Sequence, residues 1–485
     1  MDYAVTPLAE IAPKVATARA AFEAGTTRPQ AWRRATLERL RDLMDEREEQ
    51  LLDALAADFG KPRFEAWTTE LGYIASEIDH TLAHLSSWMK PDRVGTPLAF
   101  KPGSSHIVPE PVGVACVIAP WNYPVQLLLS PLVAAIGAGN AVVGKPSELA
   151  PHVSAELATL IAALGDDAVT LVEGGVAETS ELLAQRFDHI LYTGNSRVAR
   201  IVMRAAAENL TPVTLELGGK SPAIVSRHAN VQVAARRIAW GKFINAGQTC
   251  IAPDYVLVER PVHDELVAAI GKHIEAFYGA DPQVSADYAR IVNEPHFHRL
   301  EKLLDSGTVA IGGTTDVDTR YIAPTVLTGV TAGDPVMGEE IFGPILPIIA
   351  VDSMTEAIGF VQQREAEGDK PLALYTFSES DGENDQVIDG TTSGGVCVNG
   401  TLLHFGNPNL PFGGVGESGM GSYHGRFGFD TFSHLRGVHA RSTRIDPSLM
   451  YPPYTAKKQK LVRRGMAMAD PRDIGAKLRG ALRGK

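Results

Sequence analysis

Residues 215–250 carry a carboxylate and a thiol at opposite ends, a pair that could perform covalent catalysis. Glu216 ends an apolar, strand-like run (PVTLEL), and Cys250 closes a small polar loop (NAGQTC) that follows a helical pattern. A thiol with a base nearby can attack a carbonyl carbon. The two groups lie close to glycines at opposite ends of one strand–helix passage, and we expect them to converge on one pocket.

The three cysteines do not fit one interpretation. A free cysteine is more often a buried packing residue than a nucleophile. Cys116 (GVACVIAP) and Cys397 (GGVCVNG) lie inside apolar, strand-like runs and fit the packing role. Cys250 instead follows the small or polar residues GQT, and a reactive thiol needs partial access and polar surroundings. The sequence therefore favours Cys250 as the reactive thiol.

Glu216 and Asn122 each leave two interpretations open. Glu216 is either a strand-end carboxylate paired with Lys or Arg, or a general base whose pKa is raised by an apolar site. Asn122 lies in PWNYP, whose prolines make the loop rigid. That loop is either a simple turn or the place where an Asn side-chain N–H stabilises an oxyanion.

Two further motifs indicate a nucleotide. Residues 139–145 (GNAVVGK) match the core of a phosphate loop, but Pro146 lacks the required hydroxyl and N–H, and the run is typical of a strand. Lys145 and Glu148 suit the hydroxyls of a ribose better. The glycine turn in YTGN would open a helix whose N-terminus can face a pyrophosphate.

We expect no metal site in this chain. The pair His296 and His298 has no cysteine or carboxylate at ligand spacing, which predicts a helix surface.

Composition excludes several classes of protein. The chain has 485 residues, too many for one core, with 45% hydrophobic and 21% charged residues. The net charge of -12 argues against a nucleic-acid partner. Sparse cysteines and a start without a basic, apolar leader predict a cytoplasmic protein with neither signal peptide nor stable membrane insertion. Residues 456–485 hold ten Lys or Arg and two Asp, which indicates a solvated tail or a weak anionic-surface contact.

Strand and helix patterns alternate through most of the chain. Helical spacing dominates up to about residue 90, and two extended segments follow at 91–110. Five Val/Ile-rich runs then alternate with helical patterns, from GVACVIAP to PVTLELGG, and a second alternation follows Gly219. This order predicts an α/β protein with two doubly wound α/β domains.

The motifs in their order resemble the aldehyde dehydrogenase superfamily over nearly the whole chain. The carriers are PWNYP, VVGKPSE, YTGN, LELGGKSP, NAGQTC, EEIFGP and PFGGVGESGMG. AWGKF, APDY and GMGSYHG are similar to the class 3 branch, which includes fatty, aromatic and coniferyl aldehyde dehydrogenases.

The resemblance implies a role for each motif residue. Cys250 would be the nucleophile, Asn122 and the Cys250 backbone N–H the oxyanion hole, and Glu216 the base that activates the deacylating water. Lys145 and Glu148 would hold the adenosine ribose, Gly194 would meet the pyrophosphate, and Glu340 would bind the nicotinamide ribose beside Phe342. The cofactor-binding set is Trp121, Lys145, Glu148, Thr193, Gly194, Asn195, Leu217, Glu340 and Phe342.

The implied reaction is the oxidation of an aliphatic or aromatic aldehyde to a carboxylic acid through a cysteine thiohemiacetal and thioester. The cofactor would be NAD, with NADP possible, since a carboxylate at Glu148 favours a free 2′-hydroxyl. Asn195 and Ala199 depart from the family's usual Ser and Gly, so we expect altered pyrophosphate contacts. Tyr123, Leu127 and His404 are candidates for the aldehyde pocket.

The resemblance also implies the domain organisation. We expect an NAD(P)-binding domain at 1–90 and 108–217, a catalytic domain at 218–400, a small β oligomerisation or bridging element at 91–107 and 401–446 that pairs two subunits as a homodimer, and a tail at 447–485. Three alternatives remain: a CoA-acylating enzyme, a non-catalytic protein that kept the fold, and a membrane-anchored fatty aldehyde enzyme.

Overall fold

A computed structural model describes residues 5–97 and 100–467. The chain divides into two compact units, Met1–Leu85 with Pro111–Phe432, and Ser86–Glu110 with Ser433–Lys485. The predicted tail lies outside the described residues from 468 onward. The larger unit carries every residue of the predicted site, whereas the predicted domain bounds stay a prediction.

Helices form the N-terminal part, as the spacing of apolar residues predicts. Gly60 ends α3 in the left-handed conformation (φ 59°), which glycine adopts without strain. A π-helix, Trp67–Leu71, follows α4 directly. The first elements are α1 Leu8–Glu23, α2 Gln30–Glu46, α3 Glu48–Phe59, α4 Arg63–Ala66, α5 Gly72–Trp88, β1 Asp92–Val94 and β2 Gly103–Pro111.

The first alternation folds into a six-stranded sheet with the strand order β17-β7-β6-β3-β4-β5. Its elements are β3 Val114–Ile118, α6 Gln126–Ala138, β4 Ala141–Lys145, α7 Pro151–Leu164, β5 Val169–Leu171, α8 Val176–Ala184, β6 His189–Thr193, α9 Ser196–Ala207 and β7 Val213–Glu216. Strands β3–β7 are all parallel, so their carboxyl ends share one edge. Ligands bind beyond that edge in folds of this class.

The second alternation folds into a seven-stranded sheet with the order β10-β13-β14-β9-β8-β15-β16. Its elements are β8 Pro222–Val225, α10 Val231–Phe243, β9 Tyr255–Glu259, α11 His263–Tyr278, α12 Glu294–Glu301, β10 Thr308–Ile311, β11 Thr315–Asp316, β12 Tyr321–Ile322, β13 Thr325–Thr328, β14 Ile345–Val351, α13 Met354–Ala366, β15 Ala373–Phe377, α14 Asp381–Gly390 and β16 Gly395–Val398. The antiparallel edge strand β10 and helix α14 were not predicted. The two mainly parallel sheets, with their helices, confirm the predicted α/β fold class.

The remaining elements are β17 Gly419–Met420, α15 Gly425–Thr431, β18 Ser433–Arg441 and α16 Ala456–Ala467. β17 pairs antiparallel with β7, which places Gly419 opposite Glu216. The glycine-rich segment after 401 therefore closes the edge of the first sheet. In the smaller unit, β1, β2 and β18 form a three-stranded sheet. Among the described residues, no helix is both long and apolar enough to cross a membrane.

Candidate active site

A left-handed turn presents Cys250. After α10, the backbone of Asn245, Ala246 and Gly247 takes φ values of 51°, 50° and 73°. Left-handed residues usually occur singly, and a non-glycine residue there is strained. A Cβ on Gly247 would lie 2.3 Å from the carbonyl oxygen of Gly343, so only glycine fits. Strain of this kind persists only where the surrounding structure fixes it.

Hydrogen bonds join this turn to the PWNYP loop. The Asn122 side chain is buried, and its Nδ2 donates to the carbonyl of Gln248 at 3.0 Å. In return, Nδ2 of Asn245 donates to the carbonyl of Asn122 at 2.8 Å. The hydroxyls of Tyr123 and Thr249 lie 2.8 Å apart. Asn122 keeps a second Nδ2 hydrogen beside the cysteine turn, as an oxyanion donor requires.

Within the described part of the chain, Glu216 is a buried carboxyl group without an ion-pair partner. It ends β7 between Thr193 of β6 and Gly419 of β17, and it is 2% exposed. Neither carboxyl oxygen has a hydrogen-bond partner among the described residues. Burial raises the pKa of Glu216 well above its usual range. Of the two interpretations, the structure excludes the Lys or Arg pair and leaves a carboxyl group suited to act as a base.

Cys250 is partly exposed, unlike the fully buried Cys116. The pKa of its thiol is raised, first because the sulfur lies among protein atoms, and then by the carboxylates of Glu340 and Glu216. Cys250 therefore holds its proton at neutral pH, with both carboxyl groups close enough to act on it. Cys397 lies in a strand, β16, as its apolar run predicts, but it is partly exposed and not a buried packing residue.

Glu340 packs onto the glycine pair that follows Glu216. A Cβ on Gly218 would lie 1.9 Å from a carboxylate oxygen of Glu340, which also accepts the backbone N–H of Gly219. Burial, with the nearby Asp254, raises the pKa of Glu340 to about 8, against an opposing effect of Lys220. Only glycine at position 218 therefore lets the carboxylate of Glu340 lie this close to the backbone.

Three aromatic rings pack around Trp121 of the PWNYP loop. Ring centroids lie 5.4 Å from Trp121 to Phe342, 5.3 Å to His296 and 6.4 Å to Phe59. Phe342 takes the left-handed conformation at φ 49°. His296 and His298 both lie in helix α12, as predicted; His298 is exposed, and the His296 ring is partly exposed and packs against Trp121. Within the described residues, no cluster of His, Cys, Asp or Glu could hold a metal ion.

Lys145 and Glu148 form a cation–anion pair at the end of β4. The Nζ of Lys145 lies 3.0 Å from a carboxylate oxygen of Glu148 and donates to the carbonyl of Pro146 at 2.9 Å. Lys145 is buried, whereas the Glu148 side chain is 38% exposed. A donor and an acceptor at the open end of a strand suit the hydroxyls of a ribose.

The predicted pyrophosphate turn joins β6 to α9. Among the residues that the structure describes, the buried Thr193 hydroxyl has no hydrogen-bond partner, and a Cβ on Gly194 would lie 2.2 Å from the Tyr192 hydroxyl. Asn195 caps α9 by accepting a backbone N–H three residues on, at 3.0 Å. Leu217 is buried directly after the base. An unpaired hydroxyl, a bare glycine and a helix N-terminus fit a dinucleotide phosphate.

Sequence reasoning missed an aromatic cluster beside the reacting groups. Ring centroids lie 4.8 Å apart for Tyr73 and Phe405, 5.0 Å for Phe405 and Phe412, and 5.1 Å for Phe412 and His424. Burial raises the pKa of Tyr423, as do Glu216, Tyr73 and Cys250, which places the cluster next to both reacting groups. Burial lowers the pKa of His424 to about 3, so its ring is neutral. The aromatic residues after 401 were the signal that could have revealed it.

The structure places the three residues predicted for the aldehyde pocket either in the buried interior or beside the aromatic cluster. Tyr123 and Leu127 are buried at the PWNYP loop and in α6. The His404 ring lies 6.3 Å from that of Phe412, and burial lowers its pKa to about 4.

Comparisons with known proteins show which family the chain resembles over most of its length. The aldehyde dehydrogenase family model matches residues 3–438. The chain is 48% identical to the mouse "aldehyde dehydrogenase, dimeric NADP-preferring", over 93% of this chain and 99% of the relative. It is 46% identical to the 4,4'-diaponeurosporen-aldehyde dehydrogenase of Staphylococcus aureus, over 90% of this chain and 95% of the relative.

Solved structures show the same fold. A substrate-bound S. aureus AldH superposes with a TM-score of 0.89 at 45% identity, covering 93% of this chain and 98% of the other. An indole-3-acetaldehyde dehydrogenase of P. syringae in complex with NAD+ and IAA gives a TM-score of 0.81 at 27% identity, covering 90% of each chain.

Proposed function

The chain belongs to the aldehyde dehydrogenase family, and on that premise we propose which of its residues perform the reaction. The enzyme oxidises aldehydes with NAD(P). One observation carries the assignment: a partly exposed thiol, Cys250, lies close enough to interact with the buried carboxyl group of Glu216, which has no hydrogen-bond partner among the described residues. The turn that holds the thiol is hydrogen-bonded to Asn122.

Cys250 is the proposed nucleophile. Because the thiol is partly exposed, its proton passes to solvent water as the sulfur forms a bond to the carbonyl carbon of the aldehyde. The carbonyl oxygen becomes an oxyanion in the resulting thiohemiacetal. The free N–H of Asn122 and the backbone N–H of Cys250 stabilise that oxyanion, and one such donor is worth roughly 10²–10³-fold in rate.

NAD(P) supplies a hydride acceptor when bound. Lys145 and Glu148 would bind one ribose, Glu340 the other, and Thr193, Gly194 and Asn195 the pyrophosphate. Trp121, Leu217 and Phe342 would contact the nicotinamide end.

Glu216 completes the proposed turnover. After oxidation, the acyl group remains on Cys250 as a thioester. Once ionised, Glu216 accepts a proton from water, and the hydroxide attacks the thioester carbon. The products are a carboxylic acid and the free thiol. A carboxyl group with a raised pKa is suited to this step, because a general base works best when its pKa approaches the operating pH.

The substrate is proposed to be a medium- or long-chain aliphatic or an aromatic aldehyde. The support is the aromatic cluster of Tyr73, Phe405, Phe412, Tyr423 and His424, whose histidine is held neutral by burial. Neutral rings bind apolar chains and flat rings and offer a charged group no counter-ion.

The burst of NADH in the first turnover tests the nucleophile. The native enzyme should release about one NADH per chain in a fast phase, and Cys250→Ala should release none. Cys397→Ala is the matched control, because that cysteine is also partly exposed, and it should keep the burst. A burst from Cys250→Ala would refute the assignment. Product analysis with and without CoA decides between hydrolysis and acyl transfer.

Preference for NAD over NADP is also proposed, since the carboxylate of Glu148, if it binds the ribose, would repel a 2′-phosphate. The mouse relative is named NADP-preferring, so Glu148→Gln is informative. That change should raise kcat/KM for NADP relative to NAD. An unchanged ratio would contradict the role of Glu148.

The enzyme is proposed to be a cytoplasmic homodimer. The cysteines at 116, 250 and 397 are free, as in a reducing compartment. β18 is a mostly exposed edge strand of the three-stranded sheet, and such an edge can pair with a second chain. Light scattering should give a mass twice that of one chain, and a monomer at micromolar concentration would contradict the proposal.

A further inference from the structure

A charged segment lies beneath the two loops of the proposed active site. In this segment, residues 61–70, Lys61 follows α3, Glu65 lies in α4, and Glu70 lies in the π-helix. Lys61 and Glu70 form an ion pair at 2.6 Å, and both side chains are fully buried. A buried ion pair stabilises a fold weakly but fixes geometry, since removing one partner leaves an uncompensated charge.

This ion pair holds the PWNYP loop. The Nζ of Lys61 lies 3.5 Å from the carbonyl oxygen of Asn122 and 3.9 Å from the centroid of the Tyr123 ring. The second carboxylate oxygen of Glu70 accepts the backbone N–H of Val125 at 2.8 Å. The segment therefore binds the loop at the Asn122 carbonyl and at the residues that follow it, through contacts that leave the Asn122 side chain free for other partners.

Glu65 reaches the other loop. Its Oε1 accepts the backbone N–H of Asn245 at 2.9 Å, at the first of the three left-handed residues. In a regular α-helix, residues five apart are turned by about 140° from one another. The π-helix that begins at Trp67 closes from residue i to residue i+5 and brings Glu70 round toward the side of Glu65. π turns of this kind are frequent at functional sites.

We propose that Glu65 is a positioning residue: its carboxylate, on a segment anchored to the Asn122 loop by Lys61 and Glu70, fixes the turn that carries Cys250. The inference rests on the roles proposed above for Cys250 and Asn122. Glu65 touches neither reacting atom. It sets the separation between the attacking sulfur and the oxyanion donor.

Three variants test the proposal. Glu65→Leu removes the acceptor for the Asn245 N–H, and Glu65→Gln keeps an acceptor oxygen of the same reach. Glu65→Asp keeps the charge and shortens the side chain by one methylene, and it serves if the Leu variant does not fold. Glu38→Gln on α2 is the control, because it changes an exposed carboxylate elsewhere in the N-terminal helices.

The first measurement needs no cofactor. Hydrogen–deuterium exchange should be faster in residues 243–250 of Glu65→Leu than in the native protein, and unchanged in Glu65→Gln. The second measurement is the rate of the NADH burst at saturating cofactor and aldehyde. A misplacement of about 1 Å can cost roughly 10²-fold. We expect about that loss in Glu65→Leu, a smaller loss in Glu65→Asp, and less than about fivefold in Glu65→Gln.

Affinity for NAD separates positioning from a general structural effect. The dissociation constant should stay within about threefold of native in all variants, because Glu65 accepts its hydrogen bond from Asn245, which is not among the predicted cofactor residues. A native burst rate in Glu65→Leu, equal losses in the Leu and Gln variants, or a burst rate that falls only in proportion to NAD affinity would each overturn the proposal. Failure of the nucleophile assignment is seen separately, as a burst that survives in Cys250→Ala.

Discussion

Replacing Glu216 by Gln separates two consequences of one buried carboxyl group. Glu216 lacks any hydrogen-bond partner among the described residues, and its pKa is raised by burial alone. Between the ordinary pKa of a glutamate and this raised value, the folded protein keeps the proton and the unfolded chain has lost it. The free energy of unfolding therefore falls as pH rises through that interval.

The magnitude follows from the proton count. One proton corresponds to about 1.4 kcal/mol per pH unit. In Glu216→Gln this contribution vanishes. The free energy of unfolding of the variant should therefore fall less steeply with pH than that of the native protein, by up to about 1.4 kcal/mol per pH unit. Other groups with raised pKa values, such as Glu340, remain in both proteins, and their contribution cancels in the difference.

The same substitution should impair catalysis, although it makes stability less dependent on pH. Gln cannot accept a proton from water, so steady-state turnover should fall by roughly 10²–10⁴-fold. The NADH burst, which precedes hydrolysis, should keep its amplitude. Acyl-enzyme should accumulate as a mass increase on Cys250.

Two assays decide the matter. Urea unfolding from pH 5 to pH 8 gives the slope for native protein, for Glu216→Gln and for the exposed control Glu275→Gln on α11. Stopped-flow fluorescence gives burst and steady-state rates. Equal pH slopes in native protein and Glu216→Gln would refute the burial argument, and a native steady-state rate in the variant would refute the role as base.

Three further changes test other parts of the site. Asn122→Ala should lower kcat/KM by roughly 10²–10³-fold with unchanged affinity for NAD, and steady-state kinetics with cofactor titration would expose a smaller effect. Gly218→Ala places a Cβ against the carboxylate of Glu340 and should weaken NADH binding by about tenfold, measured by fluorescence titration; native affinity would contradict the close packing. Lys220→Met leaves the buried Asp254 without its ion-pair partner and should lower the free energy of unfolding by roughly 3–5 kcal/mol in urea, whereas a loss below 1 kcal/mol would show that Asp254 has other support.

The sequence predicted well what local pattern determines. Strands β3 to β7 are short apolar runs between helical patterns, and their period and punctuation suffice to place them. The position of Gly60 at a helix end follows from its tolerance of positive φ. Roles for Cys250, Glu216 and Asn122 came from ordered motifs, and their places in the structure suit those roles.

Long-range pairing and local backbone strain were out of reach. β17 has two residues, too few for any periodicity, and its pairing with β7 joins chain segments about two hundred residues apart. The contact of His296 with Trp121 depends on how α12 packs, which a pair of histidines in sequence does not encode. Glu65 and Glu70 match no motif, since their importance comes from a π turn and a buried cation.

The pairing of Gly419 with Glu216 has a consequence during synthesis on the ribosome. Until Gly419 has left the exit tunnel, β7 is the outermost strand of its sheet, and its backbone groups have no partner on that side. Unpaired strands invite association with other chains. A nascent polypeptide that has assembled the five parallel strands would thus expose the base-bearing edge while about two hundred further residues are synthesised, and a chaperone that shields strand edges would raise the yield of active enzyme.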